Sequence, residues 1–303
     1  MTSLVNVLRD AQRSLESVGI PDARIEAEVL LTVTLDLDRA ALYACLNVFI
    51  APEKVAAVHR LLERRLRREP LAHIVGRREF FGLDLEVGPA ALVPRQETET
   101  LVEEALKAAC QRGGSCAIAD VGTGCGAIAV ALAVHLPAAR LYATDISPEA
   151  LRLARANCLR HGVGERVALL EGDLLAPLPE PVDLVVANLP YVPTAEIDTL
   201  QPEVRLHEPR IALDGGPDGL DVIRRLLCQA PRWLDAGGAL LLEIDPHQVC
   251  GVLETAHASF PGAALRTIRD LAGRERVVVI EVAPHAKSTT VAPSPPRSGS
   301  AAA

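Results

Sequence analysis

The segment most informative about the fold is Asp120-Val121-Gly122-Thr123-Gly124-Cys125-Gly126-Ala127. It follows the short apolar run 117–121 and leads into the apolar, helix-like segment 128–135. Glycines let a backbone approach a ligand without a Cβ in the way, and a strand, loop and helix in this order bring that backbone to the carboxyl edge of a sheet. The sequence therefore predicts a nucleotide-like ligand at this glycine loop (Asp120–Ala127).

Around the loop, apolar runs alternate with helical stretches. The runs expected to form strands are 117–121, 140–145, 167–170, 182–187, 239–244, 264–268 and 277–282. This alternation predicts a mostly parallel sheet with helices on both faces. The polar link between the last two runs, from Arg269 to Arg276, is too short for a crossover helix, so these two strands should pair antiparallel.

The segments on either side of this region have different patterns of apolar residues. Apolar residues recur at helical spacing from Leu4 to about Arg68, which predicts short amphipathic helices. Glycine-punctuated runs between Ala72 and Val93, including His73 to Gly76, favour a hairpin connector. The predicted organisation is a helical domain at 1–70, the hairpin connector at 71–93, an α/β domain at 94–283 and a disordered tail rich in Ser, Thr, Pro and Ala at 284–303.

Composition narrows the class of function. The formal net charge of −8 argues against a broad nucleic-acid footprint, because phosphate binding needs clustered Lys and Arg. Seven cysteines without a C-x-x-C pair are typical of free thiols in a reducing cytoplasm, and the histidines lack metal-ligand spacing. No secretory signal or membrane-spanning run is visible. We expect a cytoplasmic protein with no metal, no membrane and no stable nucleic-acid partner.

Spacing alone leaves the nucleotide open. Gly122, Gly124 and Ala127 satisfy the relaxed dinucleotide fingerprint, and Asp145 ends the next strand where a carboxylate can hold ribose hydroxyls, so NAD is compatible. A dehydrogenase would also need a hydride-transfer partner residue and would leave Asn188 without a use. Two details favour S-adenosylmethionine: a carboxylate at Asp120 suits the ammonium group of its methionine part, and the third glycine, Gly126, allows a closer approach.

A second candidate segment, Asn188-Leu189-Pro190-Tyr191, follows directly on the predicted strand 182–187. It should lie at the same carboxyl edge as the glycine loop. An amide nitrogen is a poor nucleophile, so methyl transfer to it depends on orientation. The Asn188 side-chain oxygen and the Leu189 carbonyl can accept both N–H bonds of an NH2 group, while the Tyr191 ring packs on its plane. The pattern favours a methyltransferase acting on a planar amide or amino nitrogen.

The whole region from about Leu4 to Val282 resembles the bacterial release-factor glutamine methyltransferases. The resemblance rests on the two loops and on several flanking segments. These segments are Glu69-Pro70, Ile74-Val75-Gly76, Glu79 to Gly82, Val93-Pro94-Arg95-Gln96-Glu97-Thr98-Glu99, Glu208-Pro209, Ala212 to Leu220 and Arg269 to Arg276. The Asn188 loop (Asn188–Tyr191) indicates the chemistry, and the flanking segments indicate the substrate.

This resemblance implies a class I S-adenosylmethionine-dependent methyltransferase fold, with a seven-stranded sheet whose last strand is antiparallel, and a small N-terminal helical domain. It also implies that the substrate is the glutamine of the Gly-Gly-Gln motif in class 1 peptide chain release factors. The resemblance further implies functional roles for two groups of residues. The cofactor would be bound by Asp120, Gly122, Thr123, Gly124, Cys125, Gly126, Asp145, Asp173, Leu174 and Asn188, and catalysis and glutamine binding would fall to Asn188, Leu189, Pro190 and Tyr191.

Two positions depart from the family pattern. Leu189 stands where the family has its first proline, but the implied role belongs to a backbone carbonyl, which leucine keeps, and Pro190 biases Leu189 toward an extended conformation. Leu174 replaces an aromatic residue of some members and should weaken one adenine contact. The alternative prediction is a methyltransferase with the same loop that acts on a ribosomal protein, RNA or DNA.

Overall fold

The structure, a computed structural model, describes residues 2–283. The tail predicted at 284–303 lies outside the described residues. Within residues 2–283, no helix combines the length and the apolar character that a membrane span requires. All seven cysteines of the chain are free thiols.

The N-terminal part is a bundle of short helices with its own core. Its elements are β1 (Thr2–Ser3), α1 (Leu4–Ser17), α2 (Ala23–Leu35), α3 (Arg39–Ala44), β2 (Phe49–Ile50), α4 (Pro52–Leu66) and α5 (Leu71–Val75). Pro52 begins α4, where its missing N–H is not needed, and the Asp38 side chain caps α3 by accepting a hydrogen bond from the Ala41 N–H. Apolar residues at helical spacing, such as Leu8 and Leu30, are fully buried in this core.

A two-stranded antiparallel hairpin follows, formed by β3 (Arg77–Phe80) and β4 (Leu83–Glu86). The sequence prediction that the run His73 to Gly76 also belongs to this hairpin is wrong, because that run lies in α5. Gly76 ends the helix in a left-handed conformation, with φ of 78°. Burial of His73 and Ile74 against the helical bundle stabilises a helical turn at a place where periodicity alone could not distinguish helix from strand.

The remaining elements form one α/β unit. They are α6 (Thr98–Gln111), β5 (Ala117–Val121), α7 (Ala127–His135), β6 (Arg140–Asp145), α8 (Pro148–Arg160), β7 (Val167–Glu171), β8 (Val182–Ala187), α9 (Pro202–His207), α10 (Asp221–Gln229), β9 (Leu234–Glu243), α11 (Val249–Ser259), β10 (Ala264–Arg269) and β11 (Glu275–Glu281). Short 3₁₀ turns occupy Thr194–Thr199, Arg210–Ala212, Ala230–Arg232 and Pro246–Gln248.

The strands form a seven-stranded sheet in the order β10-β11-β9-β8-β5-β6-β7. Strands β5 to β9 are parallel, and β11 is antiparallel to both of its neighbours. One face of the sheet packs on α6, α7 and α8 and the other on α10 and α11, with alternate strand residues entering the two cores. The predicted fold class is confirmed, including the antiparallel last strand.

Strand β5 is the point at which the chain order reverses, because β6 lies on one side of it and β8 on the other. The glycine loop leaves the carboxyl end of β5, Asp145 ends β6, and the Asn188 loop leaves β8. Open α/β sheets bind ligands at such a switch point. The topology therefore brings both candidate loops to one place.

Candidate active site

The three glycines of the glycine loop adopt conformations that side chains disfavour. Gly122, Gly124 and Gly126 have φ values of 72°, 57° and 83°. A Cβ on Gly126 would lie 3.0 Å from the Cβ of Ala154 in α8, so this glycine permits close packing of loop and helix. A Cβ on Gly122 would lie 2.9 Å from Leu189 Cδ2, which places the two candidate loops in direct contact.

Asp120 holds the glycine loop from beneath. Its Oδ2 accepts hydrogen bonds from Thr123 Oγ1 at 2.5 Å and from the Ala129 N–H at 3.0 Å, and its Oδ1 is buried without a partner among the described residues. Burial raises the pKa of Asp120 to about 7. The side chain does not line the cavity described below, so its direct contact with a cofactor ammonium group stays a prediction.

Asp145 lies half-buried at the rim of the same loop. Its Oδ2 accepts a hydrogen bond from the Gly124 N–H at 2.8 Å, and its Oδ1 accepts one from the Ser147 N–H at 2.9 Å. These two bonds fix the carboxylate at the end of β6, where Asp145 lines the wall of the cavity described below. Such a geometry suits acceptance from the hydroxyl groups of a ribose.

Asp173 and Leu174 follow β7 on the other side of the cavity. Asp173 forms an ion pair with Arg225, so one carboxylate oxygen that the sequence assigns to an adenine amino group already has a partner. Leu174 is buried and has φ of 52°, a strained conformation for a leucine. Residues held in such conformations are concentrated at ligand sites, which is consistent with the predicted role of Leu174.

A single cavity joins most of these residues. Its wall includes Gly122, Thr123, Gly124, Cys125, Asp145, Asp173, Leu174, Asn188, Leu189 and Pro190, whereas Asp120, Gly126 and Tyr191 lie outside it. Apolar side chains such as Leu92, Ile146 and Val222 complete the wall. Apolar walls, glycine backbone and a rim carboxylate fit a nucleoside with an aliphatic extension, as in S-adenosylmethionine.

Asn188 enters this cavity directly after β8. Its Nδ2 donates a hydrogen bond to Thr98 Oγ1 at 3.1 Å. Within residues 2–283, neither Asn188 Oδ1 nor the Leu189 carbonyl receives a hydrogen bond, so both are available as acceptors. Leu189 itself is 4% exposed, with its side chain against Gly122.

A second, more polar pocket opens from the cavity. It is lined by Tyr191 and by acidic side chains such as Glu196, Asp218 and Asp245, and it shares Leu92, Arg95, Asn188, Leu189 and Ala212 with the cavity. The two spaces therefore meet at the Asn188 loop. This arrangement allows a cofactor on one side of Asn188 and a substrate group on the other.

The Asp214 to Gly219 segment, for which the sequence leaves a lid and a plain turn equally open, packs beside the Asn188 loop. The Val192 N–H donates to the Leu213 carbonyl, and the Gly215 N–H donates to the Val192 carbonyl. A Cβ on Gly219 would lie 2.2 Å from the Tyr191 carbonyl. The segment therefore supports the loop instead of moving freely over it.

Sequence reasoning missed the side chains that hold the Asn188 loop from behind. Gln248 Nε2 donates a hydrogen bond to the Tyr191 carbonyl at 2.7 Å, and Tyr191 Oη donates to Glu243 Oε1 at 3.4 Å. Burial, with Glu243 nearby, raises the pKa of Tyr191 above its usual range. Thr98 lies in the quoted segment Val93 to Glu99, but nothing in the sequence connects it with Asn188, ninety positions later.

Comparison with known proteins agrees with this geometry. A family model described as the PrmC N-terminal domain matches residues 6–76, and a model described as a methyltransferase domain matches residues 118–207. A release factor glutamine methyltransferase of Geobacter sulfurreducens is 48% identical over 240 residues, which cover 79% of this chain and 83% of that protein. One of Moorella thermoacetica is 46% identical over 277 residues, covering 90% of this chain and 96% of the relative.

Among solved structures, a methyltransferase from Pyrococcus furiosus has a TM-score of 0.53 at 19% identity, and the match covers 73% of this chain and 98% of that one. This likeness supports the fold alone. The identity and coverage of the sequence relatives go further, since they extend over both the helical bundle and the α/β unit. The chain therefore belongs to the release factor glutamine methyltransferase family and is an S-adenosylmethionine-dependent methyltransferase.

Proposed function

We propose that this protein methylates the side-chain amide nitrogen of the glutamine in the Gly-Gly-Gln motif of class 1 peptide chain release factors. The observation that carries the proposal is that the cavity and the polar pocket share Asn188 and Leu189 in their walls, where two acceptor oxygens receive no hydrogen bond from the described residues. The names and coverage of the relatives support the choice of substrate. The enzyme would act in the cytoplasm, with the release factor as its protein partner.

In this proposal, S-adenosylmethionine supplies an electrophilic methyl group when it is bound at the glycine loop, Asp145 and Leu174. The task of the chain is to orient the nucleophile. Asn188 Oδ1 and the Leu189 carbonyl accept the two N–H bonds of the glutamine amide and so fix its plane. Both oxygens also stabilise the positive charge that develops on the nitrogen as its bond to the methyl carbon forms.

Tyr191 lines the polar pocket, where its ring can pack on the planar amide. The methylated nitrogen is cationic and strongly acidic, so it releases one N–H proton to water without a dedicated base. The role proposed for these residues is therefore positioning and charge stabilisation, and it requires no strong general base within reach of Asn188.

A substrate labelling assay tests the proposal. The protein is incubated with methyl-labelled S-adenosylmethionine and, separately, with a class 1 release factor, the same factor with its motif glutamine changed to alanine, ribosomal protein and nucleic acid. We expect label in the intact release factor alone. Label in ribosomal protein or nucleic acid, with none in the release factor, would support the alternative substrates instead.

Asn188→Ala serves as the catalytic control in that assay. Loss of the orienting oxygen should lower turnover by about 100-fold or more, as for removal of a single transition-state hydrogen-bond acceptor or donor. The matched control is Asn6→Ala on the exposed face of α1, which should leave turnover unchanged. Near wild-type turnover of a folded Asn188→Ala variant would contradict the proposed role.

A further inference from the structure

The Asn188 loop is anchored differently at its two ends. Its first residue follows directly on β8, which pairs with β5 and β9 in the sheet. At its other end, the Tyr191 carbonyl accepts a hydrogen bond of 2.7 Å from Gln248 Nε2. Among residues 2–283, this is the only hydrogen bond to the backbone of the four loop residues. Beyond the sheet, Gln248 is therefore the direct polar anchor of the loop.

The Gln248 amide has one orientation that satisfies its surroundings. Its Nε2 faces two carbonyl oxygens, since it also donates to that of Asp218 at 3.3 Å, and its Oε1 accepts a hydrogen bond from the Asp245 N–H at 3.3 Å. The opposite orientation would set an oxygen against two carbonyl oxygens and an NH2 group against an N–H group. Because Gln248 is 8% exposed, these mismatches would leave buried polar groups unpaired. The position therefore suits a side chain with two donors at one corner and an acceptor at the other.

This amide joins three segments that lie far apart in the chain. Asp245 and Gln248 belong to the turn after β9, Asp218 belongs to the glycine-rich segment before α10, and Tyr191 ends the Asn188 loop. Gly219 leaves room for the junction, because a Cβ at its position would collide with both Gln248 Nε2 and the Tyr191 carbonyl. The junction thus fixes the loop relative to two other parts of the wall of the polar pocket.

We propose that Gln248 is a positioning residue for methyl transfer, which holds the Asn188 loop and its Tyr191 ring in the geometry that receives the substrate amide. The inference rests on the function proposed above. Gln248 lines the polar pocket but not the cavity, and both N–H bonds and the oxygen of its amide are engaged within the protein. Its effect on the substrate therefore passes through Tyr191, and cofactor binding should not depend on it.

Gln248→Glu tests this inference, because it keeps the shape of the side chain and exchanges the NH2 group for an oxygen. At neutral pH the ionised carboxylate can only accept, so it would repel the carbonyl oxygens of Tyr191 and Asp218. In single-turnover reactions with saturating S-adenosylmethionine and release factor, we expect this variant to be slower than wild type by about 10- to 100-fold. The dissociation constant for S-adenosylmethionine should be unchanged.

Lowering the pH should restore part of the activity of Gln248→Glu, a response that a purely structural role would not give. Once protonated, the introduced carboxyl carries one O–H donor and can again donate to the Tyr191 carbonyl. The rate relative to wild type should therefore rise at least about threefold between about pH 8 and about pH 5.5. Taking the ratio to wild type at each pH removes the titration of groups that both proteins share.

The charges around the amide act on this protonation in both directions. They belong to Glu196, Asp218 with its partner Arg224, Asp245, His247 and, beyond Tyr191, Glu243. The carboxylates, together with burial, favour the neutral form of the introduced carboxyl, whereas the guanidinium and a protonated histidine oppose it. The carboxylates outnumber the cations in this set, so we expect protonation within the range of the assay.

Two further variants serve as controls. Gln248→Met is unbranched and of similar length but has no N–H donor at any pH, so it should be slow and its rate relative to wild type should not rise in acid. Gln111→Glu makes the same chemical change at an exposed position that ends α6, and it should match wild type at each pH.

The inference would be overturned if Gln248→Glu or Gln248→Met were as fast as wild type, or if the relative rate of Gln248→Glu stayed flat between the two pH values. Weaker cofactor binding in either variant would also overturn it, because the defect would then extend beyond the Asn188 loop. The wild-type protein provides the separate check on the function. If wild type fails to methylate the release factor, the proposed function fails; if wild type is active and the variants match it, only the positioning role fails.

Discussion

The Leu189 side chain packs on Gly122, and this contact links the two loops that the proposed reaction needs. Its carbonyl is free among the described residues, and no described residue accepts a hydrogen bond from its N–H. A proline at this position lacks the amide proton, but it would lose no hydrogen bond to the described residues. What leucine adds, relative to the proline implied by the family pattern, is a longer side chain against the glycine loop.

At this residue we predict that Leu189→Pro keeps kcat for release factor within about threefold, a change below about 1 kcal/mol in the barrier. The free energy of unfolding should also change little. The reduced freedom of the unfolded chain should offset part of the lost packing, and each effect is on the order of 0.5 to 1 kcal/mol. Leu189→Ala is the matched control, because it removes the side chain without restricting the backbone. A more than tenfold loss of kcat in Leu189→Pro alone would mean that the loop requires a conformation that proline cannot adopt.

At the level of elements, the glycine loop is stabilised from three sides. Asp120 holds it from beneath, Asp145 accepts from the Gly124 N–H, and the N–H groups of Gly122 and Thr123 both donate to the Thr144 carbonyl at 2.9 Å. The loop is therefore preorganised by β5 and β6 before any ligand binds. Preorganisation of this kind reduces the ordering cost of binding.

We predict that Gly122→Ala weakens S-adenosylmethionine binding by at least about tenfold, or about 1.4 kcal/mol. Two effects add: the left-handed backbone disfavours a Cβ, and the new Cβ would displace Leu189. Gly114→Ala is the control, because Gly114 has nearly the same φ, 73°, with open space around its Cβ position. Calorimetric titration should show unchanged cofactor affinity for Gly114→Ala. Equal affinities in both variants would contradict the importance of the loop-to-loop contact.

At the level of the whole molecule, ion pairs connect the helical bundle with α9, next to the wall of the polar pocket. Arg65, at 4% exposure, forms ion pairs with Glu26 of α2 and Glu203 of α9, and Arg68 also pairs with Glu203. Val204, the neighbour of Glu203, lines the polar pocket. Burial alone would raise the pKa of Glu203, but hydrogen bonds from the backbone and from Arg65 hold it below its usual range.

Glu203→Gln should lower the free energy of unfolding by about 1 to 2 kcal/mol, because it removes a charged partner from the buried Arg65. Since the folded state depresses the pKa of Glu203, this contribution is present at neutral pH and is lost as the pH falls through that lowered pKa. We also expect a higher KM for release factor with little change in cofactor affinity.

The control for that prediction is Glu254→Gln on an exposed position of α11, which should be neutral in denaturant unfolding and in kinetics. An unchanged KM for Glu203→Gln, despite the lost stability, would mean that the ion pairs of Glu203 with Arg65 and Arg68 have a structural role only.

Local sequence patterns were sufficient to predict the sheet, the helical bundle and the positions of both candidate loops. Their signals are local: the period of apolar residues sets each element, and glycines or Asn-x-Pro-Tyr at strand ends mark the carboxyl edge. The exception is α5, because a run of five residues is too short for periodicity to separate helix from strand. The glycine loop left a hydride-transferring enzyme open as an alternative, and the Asn188 loop together with relatives that match over 90% of the chain decided against it.

Tertiary packing determines which side chains hold the Asn188 loop from behind. Thr98, Glu243 and Gln248 come from separate elements, and they meet because β9 lies beside β8 and α6 packs against that part of the sheet. The same is true of Asp120, whose carboxylate could equally have faced a ligand or its own loop until the fold buried it. Hydrogen-bond partners far apart in the chain depend on the packing of whole elements, and that information is absent from local sequence patterns.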